Sequence, residues 1–353
     1  MATDDAHYYP GKAPAGLMLH PDGSKLYVGT NGGVAVISTA NMEIIDILEF
    51  EYYAYDAVLD HNGEYIYFVY NPPPDSGVGK LAKMDTTDGS TEALDLSPAN
   101  VYQVVIDDEG EYLYVSGVTW PAFGEHLNPD GYWMHDGTGM IIEINLEDFE
   151  VSRTAYLSAG LESGLCYQNG KLVVMSPWIR HRQLQGTGKW DDATTCHIID
   201  VSTLTIQYTI AVPAGLRNHS FPLGDGIHVM AGFNSDVGDG VGFGLINVQI
   251  GDVEHWYVTD PNPDWPNMTP EGGGDMMAID TVNDILYATL YATKPHGQTQ
   301  ARLGIIDLNT NTYSDWYLNP YRLYGDIVYN PILHKIYVSA PFDDAIVVLE
   351  APE

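Results

Sequence analysis

The sequence is poor in cysteine and has no long apolar segment. Two cysteines in 353 residues cannot form a disulfide framework, and without clustered Cys and His spacings they form no zinc knuckle. No uncharged apolar run approaches the roughly 20 residues that cross a bilayer, and the first residues lack the basic and apolar segments of a signal peptide. The sequence therefore predicts a soluble chain without membrane insertion.

Basic residues are also scarce. Acidic residues outnumber them 48 to 14, which gives a formal net charge of −34. Such a field repels nucleic-acid phosphates and anionic membranes, so no nucleic-acid partner is expected. An Asp-rich, Lys-poor surface stays hydrated in salt, which favours an extracellular, periplasmic or virion-surface location. Removal of a signal peptide from a precursor and synthesis in the cytosol, for instance for a virion, both stay open.

A repeated unit spaced by roughly 40 to 60 residues runs through the whole chain. Each unit has a short apolar strand, a polar turn with Gly or Asn, a strand ending in a Tyr-Val type pair, a loop, a third strand, and an outer strand. The turns are HPDG, DHNG, DDEG, YQNG, LGDG, DTVND and NPILH. The units begin near Ala15, Tyr55, Tyr102, Glu162, Asn218, Gly274 and Tyr324. This pattern predicts an all-β fold, a seven-bladed β-propeller formed as one domain by residues 1–353.

The seventh unit ends after its third strand, because the chain stops at Glu353. The segment AHYYP, about residues 6–10, precedes the first inner strand and supplies a candidate for the missing outer strand. Pairing the two ends of the chain would protect sheet edges that otherwise template aggregation. We therefore expect the last blade to be closed by an N-terminal strand.

The cysteines fall on different strands of one blade. Cys166 lies in the first strand of the fourth unit and Cys196 in the third. Two strand spacings of about 4.8 Å each exceed the usual Cα separation across a disulfide. The sequence predicts two buried thiols that do not pair.

The stretch KLYVGTNGGVAVISTANMEIID resembles the YVTN repeat of seven-bladed propellers. That group includes archaeal surface-layer propellers and lactonase-like enzymes, and the resemblance recurs in degraded form over nearly the whole chain. It implies the propeller fold. Members serve as adhesive modules, lactonases, lyases and electron-transfer subunits, so the resemblance alone selects no activity.

Long loops between the second and third strands of blades two to six predict a binding rim on one face of the ring. Flat aromatic rings suit a sugar, and Arg grips a carboxylate through two hydrogen bonds, so the expected partner is a carbohydrate or a small anionic ligand. The alternative is that the cations pair with acids of the same loops and the aromatic rings pack the loops together. The candidate ligand-binding residues are Arg180, Arg182, Arg217, Arg302, Arg322, Trp120, Trp133, Trp178, Trp190, Trp265, His181 and His296.

Polar residues at the start of the inner strands predict a polar central channel. They are Asp56, Gln103, Glu162, His219, Asp275 and Asp326. Their oxygens could bind a divalent cation such as Ca²⁺, the one candidate cofactor, or tune His219 as a general base. Water-filled, inert channel residues are the alternative.

Two functions follow as hypotheses. The first is a ligand-binding or surface-attachment module of a cell envelope or virion, within a larger assembly. The second is a lyase or lactonase with His219, Glu162 and Asp275 as catalytic residues and a rim arginine, Arg180 or Arg217, neutralising the carboxylate of a uronate. The sequence has no Gly-x-Ser-x-Gly elbow, P-loop or dinucleotide fingerprint, which argues against acyl-enzyme and nucleotide chemistry.

Overall fold

The computed structural model describes most of each repeated unit. It covers residues 5–8, 15–30, 32–52, 54–72, 79–96, 99–119, 126–127, 133–134, 139–157, 163–176, 182–183, 190–191, 194–212, 220–234, 241–258, 268–269, 277–293, 299–318, 325–340 and 343–352. Within these residues the chain forms antiparallel β-sheets, and no helix there has the length and apolarity needed to cross a membrane.

Four strands in sequence order build each of the first six blades, and blade seven takes its fourth strand from the start of the chain. Blade one contains β2 (Ala15–Leu19), β3 (Lys25–Thr30), β4 (Gly33–Ser38) and β5 (Ile44–Glu49). Blade two contains β6 (Asp56–Leu59), β7 (Tyr65–Tyr70), β8 (Lys80–Asp85) and β9 (Thr91–Asp95). Blade three contains β10 (Ala99–Ile106), β11 (Tyr112–Thr119), β14 (Gly139–Asn145) and β15 (Glu150–Leu157). Blades four and five contain β16 (Ser163–Gln168), β17 (Lys171–Ser176), β20 (Thr194–Asp200), β21 (Thr205–Val212); β22 (Ser220–Pro222), β23 (His228–Asn234), β24 (Val241–Asn247) and β25 (Asp252–Val258). Blades six and seven contain β27 (Met277–Asp280), β28 (Ile285–Thr293), β29 (Thr299–Asp307), β30 (Thr312–Leu318); β31 (Ile327–Asn330), β32 (Lys335–Ala340), β33 (Ala345–Glu350) and β1 (Asp5–Tyr8).

The ends of the chain meet in blade seven. Strand β1 pairs antiparallel with β33, from Asp5 opposite Val348 to Tyr8 opposite Ala345. The sheet order is β1-β33-β32-β31, so the N-terminal strand is the outer strand of the last blade. The predicted seven-bladed propeller, with its last blade closed by an N-terminal strand, is confirmed.

Five short strands lie outside the four-strand pattern. They are β12 (His126–Leu127), β13 (Trp133–Met134), β18 (Arg182–Gln183), β19 (Trp190–Asp191) and β26 (Met268–Thr269). The first four form two small hairpins within the long loops of blades three and four, and β26 adds to β28. The repeat did not predict them, because each is only two residues long and falls in loop sequence.

The hydrophobic core lies between neighbouring blades rather than within one. Because side chains alternate between the two faces of a strand, each sheet presents apolar residues to both of its neighbours. Tyr27 and Val36 of blade one, for example, pack against Phe68 and Met84 of blade two. Similar clusters join each further pair of consecutive blades, including blade seven with blade one.

Both cysteines are buried in blade four, and neither forms a disulfide. Cys166 lies in β16 and Cys196 in β20, with β17 between them. Burial raises the pKa of the Cys196 thiol, because the thiolate would lose its solvation. The prediction of two buried, unbridged thiols is confirmed.

Candidate functional site

One end of the ring carries the starts of the inner strands and the connections between second and third strands; we call it the mouth face. The first strands of neighbouring blades contact one another around the ring, as in the contacts of β10 with β6 and β16, and of β2 with β31. These strands are therefore innermost, and their first described residues lie beside the channel on the mouth face.

Three predicted channel residues hold neighbouring blades together. Asp56 Oδ2 accepts a hydrogen bond from Val104 N at 2.9 Å, Gln103 Oε1 from Leu165 N at 2.8 Å, and Asp326 Oδ2 from Leu17 N at 2.8 Å. Each bond runs from the backbone of one inner strand to a side chain of the preceding blade: Asp56 begins β6, Gln103 lies within β10, and Asp326 directly precedes β31. One oxygen of each side chain is therefore engaged with the backbone of the next blade. The bond of Asp326 joins the last blade to the first.

Replacing Asp326 by Ala should destabilise the ring at this junction. Asp326 is 4% exposed, so its loss leaves the Leu17 N–H without this acceptor inside the protein. Hydrogen bonds to charged groups contribute about 1.5 to 3 kcal/mol, and we expect a loss of about 2 kcal/mol in the free energy of unfolding, measured by denaturant titration. Asp326→Asn keeps an oxygen acceptor of the same shape and should retain much of the stability. An equal loss in both variants would show that the charge, rather than the acceptor, matters.

Between blades one and two the mouth face has a pocket with aromatic walls. Its cavity volume is about 70 Å³, and it opens to solvent. Phe50 and Tyr52 come from the connection between the blades, and Phe68 comes from β7. The polar lining includes Thr30 and Asp56.

The aromatic walls are fixed by contacts among the rings. The Phe50 ring meets Phe68 edge to face at 4.4 Å between centroids, and it meets Tyr70 in the same way at 5.2 Å. Tyr52 stacks on Tyr70 at 5.1 Å with an interplanar angle of 16°. Such pairs are favourable beyond the area that they bury, so the pocket wall is formed before any ligand arrives.

Tyr55 is the most exposed aromatic ring of the pocket. It is 50% exposed, and it contacts the edge of Tyr102 at 6.0 Å between centroids. A large ring that is held on one side and open on the other can offer a face to a ligand. Its position next to Asp56 places it at the entrance to the channel.

Glycine lines the pocket where the chain leaves no room for a side chain. Gly33 has a φ of 139°, and a Cβ there would lie 2.1 Å from Leu48 O. No other residue fits that position without moving the backbone of β5. The close approach of β5 to β4 therefore requires glycine at this position.

Carboxylates dominate the electrostatics of this region. Lys80 forms an ion pair with Asp95, and the hydrogen bond from Lys80 to that carboxylate raises the pKa of the ammonium group. The Tyr52 hydroxyl donates to Glu51, and this bond raises the pKa of Tyr52. Among the described residues that line the pocket there is an aspartate but no lysine or arginine.

The structure describes only the backbone of four predicted rim residues. Arg182 and Trp190 lie on the two strands of one hairpin, where Arg182 pairs with Asp191 and Trp190 with Gln183. Trp133 lies in β13, and Arg302 lies in β29 between Leu290 and Tyr317. The other predicted rim and catalytic residues lie outside the described residues: Arg180, Arg217, Arg322, Trp120, Trp178, Trp265, His181, His219, His296, Glu162 and Asp275.

Metal binding stays a prediction. In the described part of the chain, no group of three or more His, Cys, Asp and Glu side chains is arranged to hold a metal ion. Asp56, Gln103 and Asp326 each bind a different backbone N–H, as described above.

The pocket of blades one and two was not predicted from the sequence. The prediction placed the binding rim on blades two to six, because their loops are long. The signal that could have identified it is the aromatic run Phe50–Tyr55, which contains four aromatic residues in the short connection between β5 and β6. A connection that only links strands has no need for so many large rings.

Comparison with known proteins identifies the fold. No family model and no curated protein sequence matches the chain, so the resemblance to the YVTN repeat remains a resemblance. Hydrazine synthase from Kuenenia stuttgartiensis is similar in structure, with a TM-score of 0.69 and 14% identity over 98% of this chain and 97% of that chain. The β-propeller domain of Myceliophteria thermophila Cps50 (Swd1) has a TM-score of 0.66 and 11% identity over 99% of this chain and 100% of that chain. At such low identities the likeness extends to the fold alone, and the chain is a seven-bladed β-propeller.

Proposed function

We propose that this protein is a binding or surface-attachment module that recognises a carbohydrate on its mouth face. The observation that carries the proposal is the aromatic pocket between blades one and two. Its position next to the predicted rim of blades two to six supports one continuous ligand surface. Nothing in the proposal requires a chemical reaction.

The lining of the pocket suits a sugar ring. The C–H face of a pyranose packs on flat aromatic rings, which Phe50, Tyr52 and the half-exposed Tyr55 provide. Hydroxyl and carboxylate groups at the edge of a mostly apolar pocket give such a ligand its orientation, and Thr30 and Asp56 are placed there. Because the walls are fixed by ring contacts, binding costs little ordering of the protein.

Replacing Tyr55 by Ala should weaken carbohydrate binding about tenfold, as expected for the loss of an aromatic ring that stacks on the ligand. Binding is measured by screening the protein on a glycan array and then titrating the best oligosaccharide by calorimetry. The matched control is Tyr156→Ala on the outer strand of blade three, because Tyr156 is also exposed, at 61% against 50% for Tyr55.

Tyr156→Ala should bind as the unmodified protein does, and both variants should keep the melting temperature. Equal affinities in all three proteins would show that the ligand does not use this pocket. A protein that binds no glycan on the array would remove the carbohydrate proposal.

Lyase or lactonase chemistry is the second candidate. Its candidate base, His219, lies outside the described residues and directly precedes in the sequence Ser220, the first residue of inner strand β22. The test is turnover of uronates and lactones by the unmodified protein and by His219→Ala. Turnover that this substitution abolishes would replace the binding proposal with an enzymatic one, whereas turnover that is absent or unchanged would remove the role of His219.

A further inference from the structure

We infer that the pocket between blades one and two selects sugars that carry a free amino group and disfavours acidic sugars. This inference rests on the proposed carbohydrate-binding function and names its substrate class. It specifies the charge of the ligand, because aromatic walls alone do not select between neutral, acidic and amino sugars.

Two carboxylates give the surroundings of the pocket a negative charge. Glu51 is exposed and lies in the chain between Phe50 and Tyr52, two residues of the pocket wall. Asp56 brings a second carboxylate to the lining. A ligand carboxylate or sulfate would approach these groups against their repulsion, whereas an ammonium group would be attracted.

The nearest described cation is already engaged in an ion pair. An acidic sugar needs a lysine or arginine to bind its carboxylate, and Lys80 is close enough to influence Tyr70 behind the pocket wall. However, Lys80 is already paired with Asp95 across adjacent strands. Among the described residues around this pocket, no other lysine or arginine lines it.

The aromatic faces of the pocket can also attract an ammonium group. Such a group over a tyrosine ring is attracted by the negative face of the ring. The protein contains this arrangement elsewhere, because Lys83 Nζ lies 4.2 Å from the centroid of the Tyr65 ring and 5.8 Å from that of Phe149. The pocket offers similar faces, and none of the described residues that line it is a lysine. An amino sugar would provide both the C–H surface for stacking and the missing positive charge.

The electrostatic field of the whole protein also acts on a charged ligand. A net charge of −34 raises the local concentration of cations and lowers that of anions near the surface. This long-range effect acts in the same direction as the local one, but it does not depend on Glu51. The experiment must therefore separate the pocket from the general attraction.

The test compares three hexasaccharides that share a β-1,4-linked pyranose backbone of glucose configuration: neutral cellohexaose, the hexamer of glucosamine with an amino group at C2, and the hexamer of glucuronate with a carboxylate at C6. Calorimetry at moderate salt should show the glucosamine hexamer binding about threefold to tenfold more tightly than cellohexaose, and the glucuronate hexamer more weakly than either. Hexalysine, which has the charge without the sugar, measures general attraction.

Two variants of equal charge locate the effect. Glu51→Gln should reduce the ratio of glucosamine to cellohexaose affinity several-fold, because the loss of one negative charge weakens binding of the charged hexamer more than that of the neutral one. Glu150→Gln changes the net charge equally, but Glu150 is exposed on the outer strand of blade three, so the ratio should stay as in the unmodified protein.

The outcomes distinguish failure of the amino-sugar inference from failure of the proposed carbohydrate-binding function. A preference for the glucuronate hexamer, or an unchanged ratio in Glu51→Gln, overturns the amino-sugar inference while the carbohydrate proposal stands. Hexalysine binding as tightly as the glucosamine hexamer, with the same response to both variants, also overturns it, because the attraction is then not specific to the sugar. If none of the hexamers binds, the proposed function fails at this pocket together with the inference.

Discussion

A protein that lacks residues 1–8 should lose about 5 kcal/mol in its free energy of unfolding and aggregate. Strand β1 forms the outer edge of blade seven by pairing with four residues of β33, from Ala345 to Val348. Each backbone hydrogen bond contributes about 1 kcal/mol, and burial of the strand adds to this. Because native proteins are stable by only about 5 to 15 kcal/mol, this loss is a large part of the total.

The new edge explains the expected aggregation. In the complete protein Ile346, Val347 and Leu349 are fully buried, and Val348 is 7% exposed. Without β1, the backbone donors and acceptors of this apolar strand would be open to other chains, and an exposed apolar edge strand is a site of strand addition. Dimers and larger species should appear in size-exclusion chromatography.

Rescue in trans separates loss of the strand from a general folding defect. The peptide MATDDAHYYPGK, added in excess to the shortened protein, should restore much of the melting temperature and suppress aggregation. A peptide of the same composition in scrambled order should not. A shortened protein that melts with the unmodified one would show that pairing of the chain ends is not needed for stability.

Other contacts reinforce the junction between blades seven and one, so the ring need not open completely when β1 is lost. On the mouth face, Asp326 accepts the N–H of Leu17. At the other end of the ring, Asn330 Nδ2 donates to Gly23 O at 2.9 Å. Between the two blades, Tyr337 packs in a cluster with Leu26 and Ile37. We therefore expect the shortened protein to be destabilised but folded at low temperature.

The strands were predictable from the sequence because their boundaries are set by local chemistry. The turns HPDG, DHNG and DDEG end in Gly23, Gly63 and Gly110, which have φ values of 71°, 76° and 71°. Glycine adopts these values without strain, so each turn marks the end of one strand and the start of the next. The predicted second strands, such as KLYVGT, agree closely with those observed.

The register of the inner strands was harder to predict, because β-bulges interrupt the alternation of side chains. The pairing shifts between Val101 and Gln103 and again between Ser163 and Cys166. In blade four the N–H that meets Gln103 belongs to Leu165, so Gly164 corresponds in register to Asp56 and Asp326. The sequence prediction had chosen Glu162, which lies outside the described residues, for this position.

The aromatic pocket depends on tertiary structure in a way that periodicity does not reveal. Phe50 and Tyr52 follow a strand, and no repeat fixes the direction of their side chains. The walls form because Tyr70, at the end of β7 in the next blade, offers a ring to each of them. Loop length, which guided the prediction to blades two to six, is no measure of this kind of contact.

Salt should stabilise the unmodified protein strongly. At a net charge of −34 the folded chain concentrates like charges that the unfolded chain separates, and this repulsion opposes folding. Raising KCl from about 20 mM to about 1 M shortens the screening length from roughly 20 Å to about 3 Å. We expect the melting temperature to rise by about 10 °C, which corresponds to several kcal/mol in a domain of this size.

The ion pairs of the protein should oppose this gain only weakly. Glu143 is 2% exposed, and its carboxylate accepts hydrogen bonds from both Nε and Nη2 of Arg153. Arg153 also donates to the carbonyl oxygens of Val201 and Ser202 in blade four. Glu143 is buried but the Arg153 side chain is 42% exposed, so salt should weaken this link between blades three and four less than it weakens a fully exposed ion pair.

The shape of the salt response distinguishes screening from a general effect of solutes. Screening is nearly complete by about 0.5 M, so most of the rise in melting temperature should occur below that concentration and level off above it. Sorbitol at the same osmolality does not screen charge and should produce only a small, linear increase. A melting temperature that is insensitive to KCl, or that rises equally in sorbitol, would show that charge repulsion does not limit the stability of this propeller.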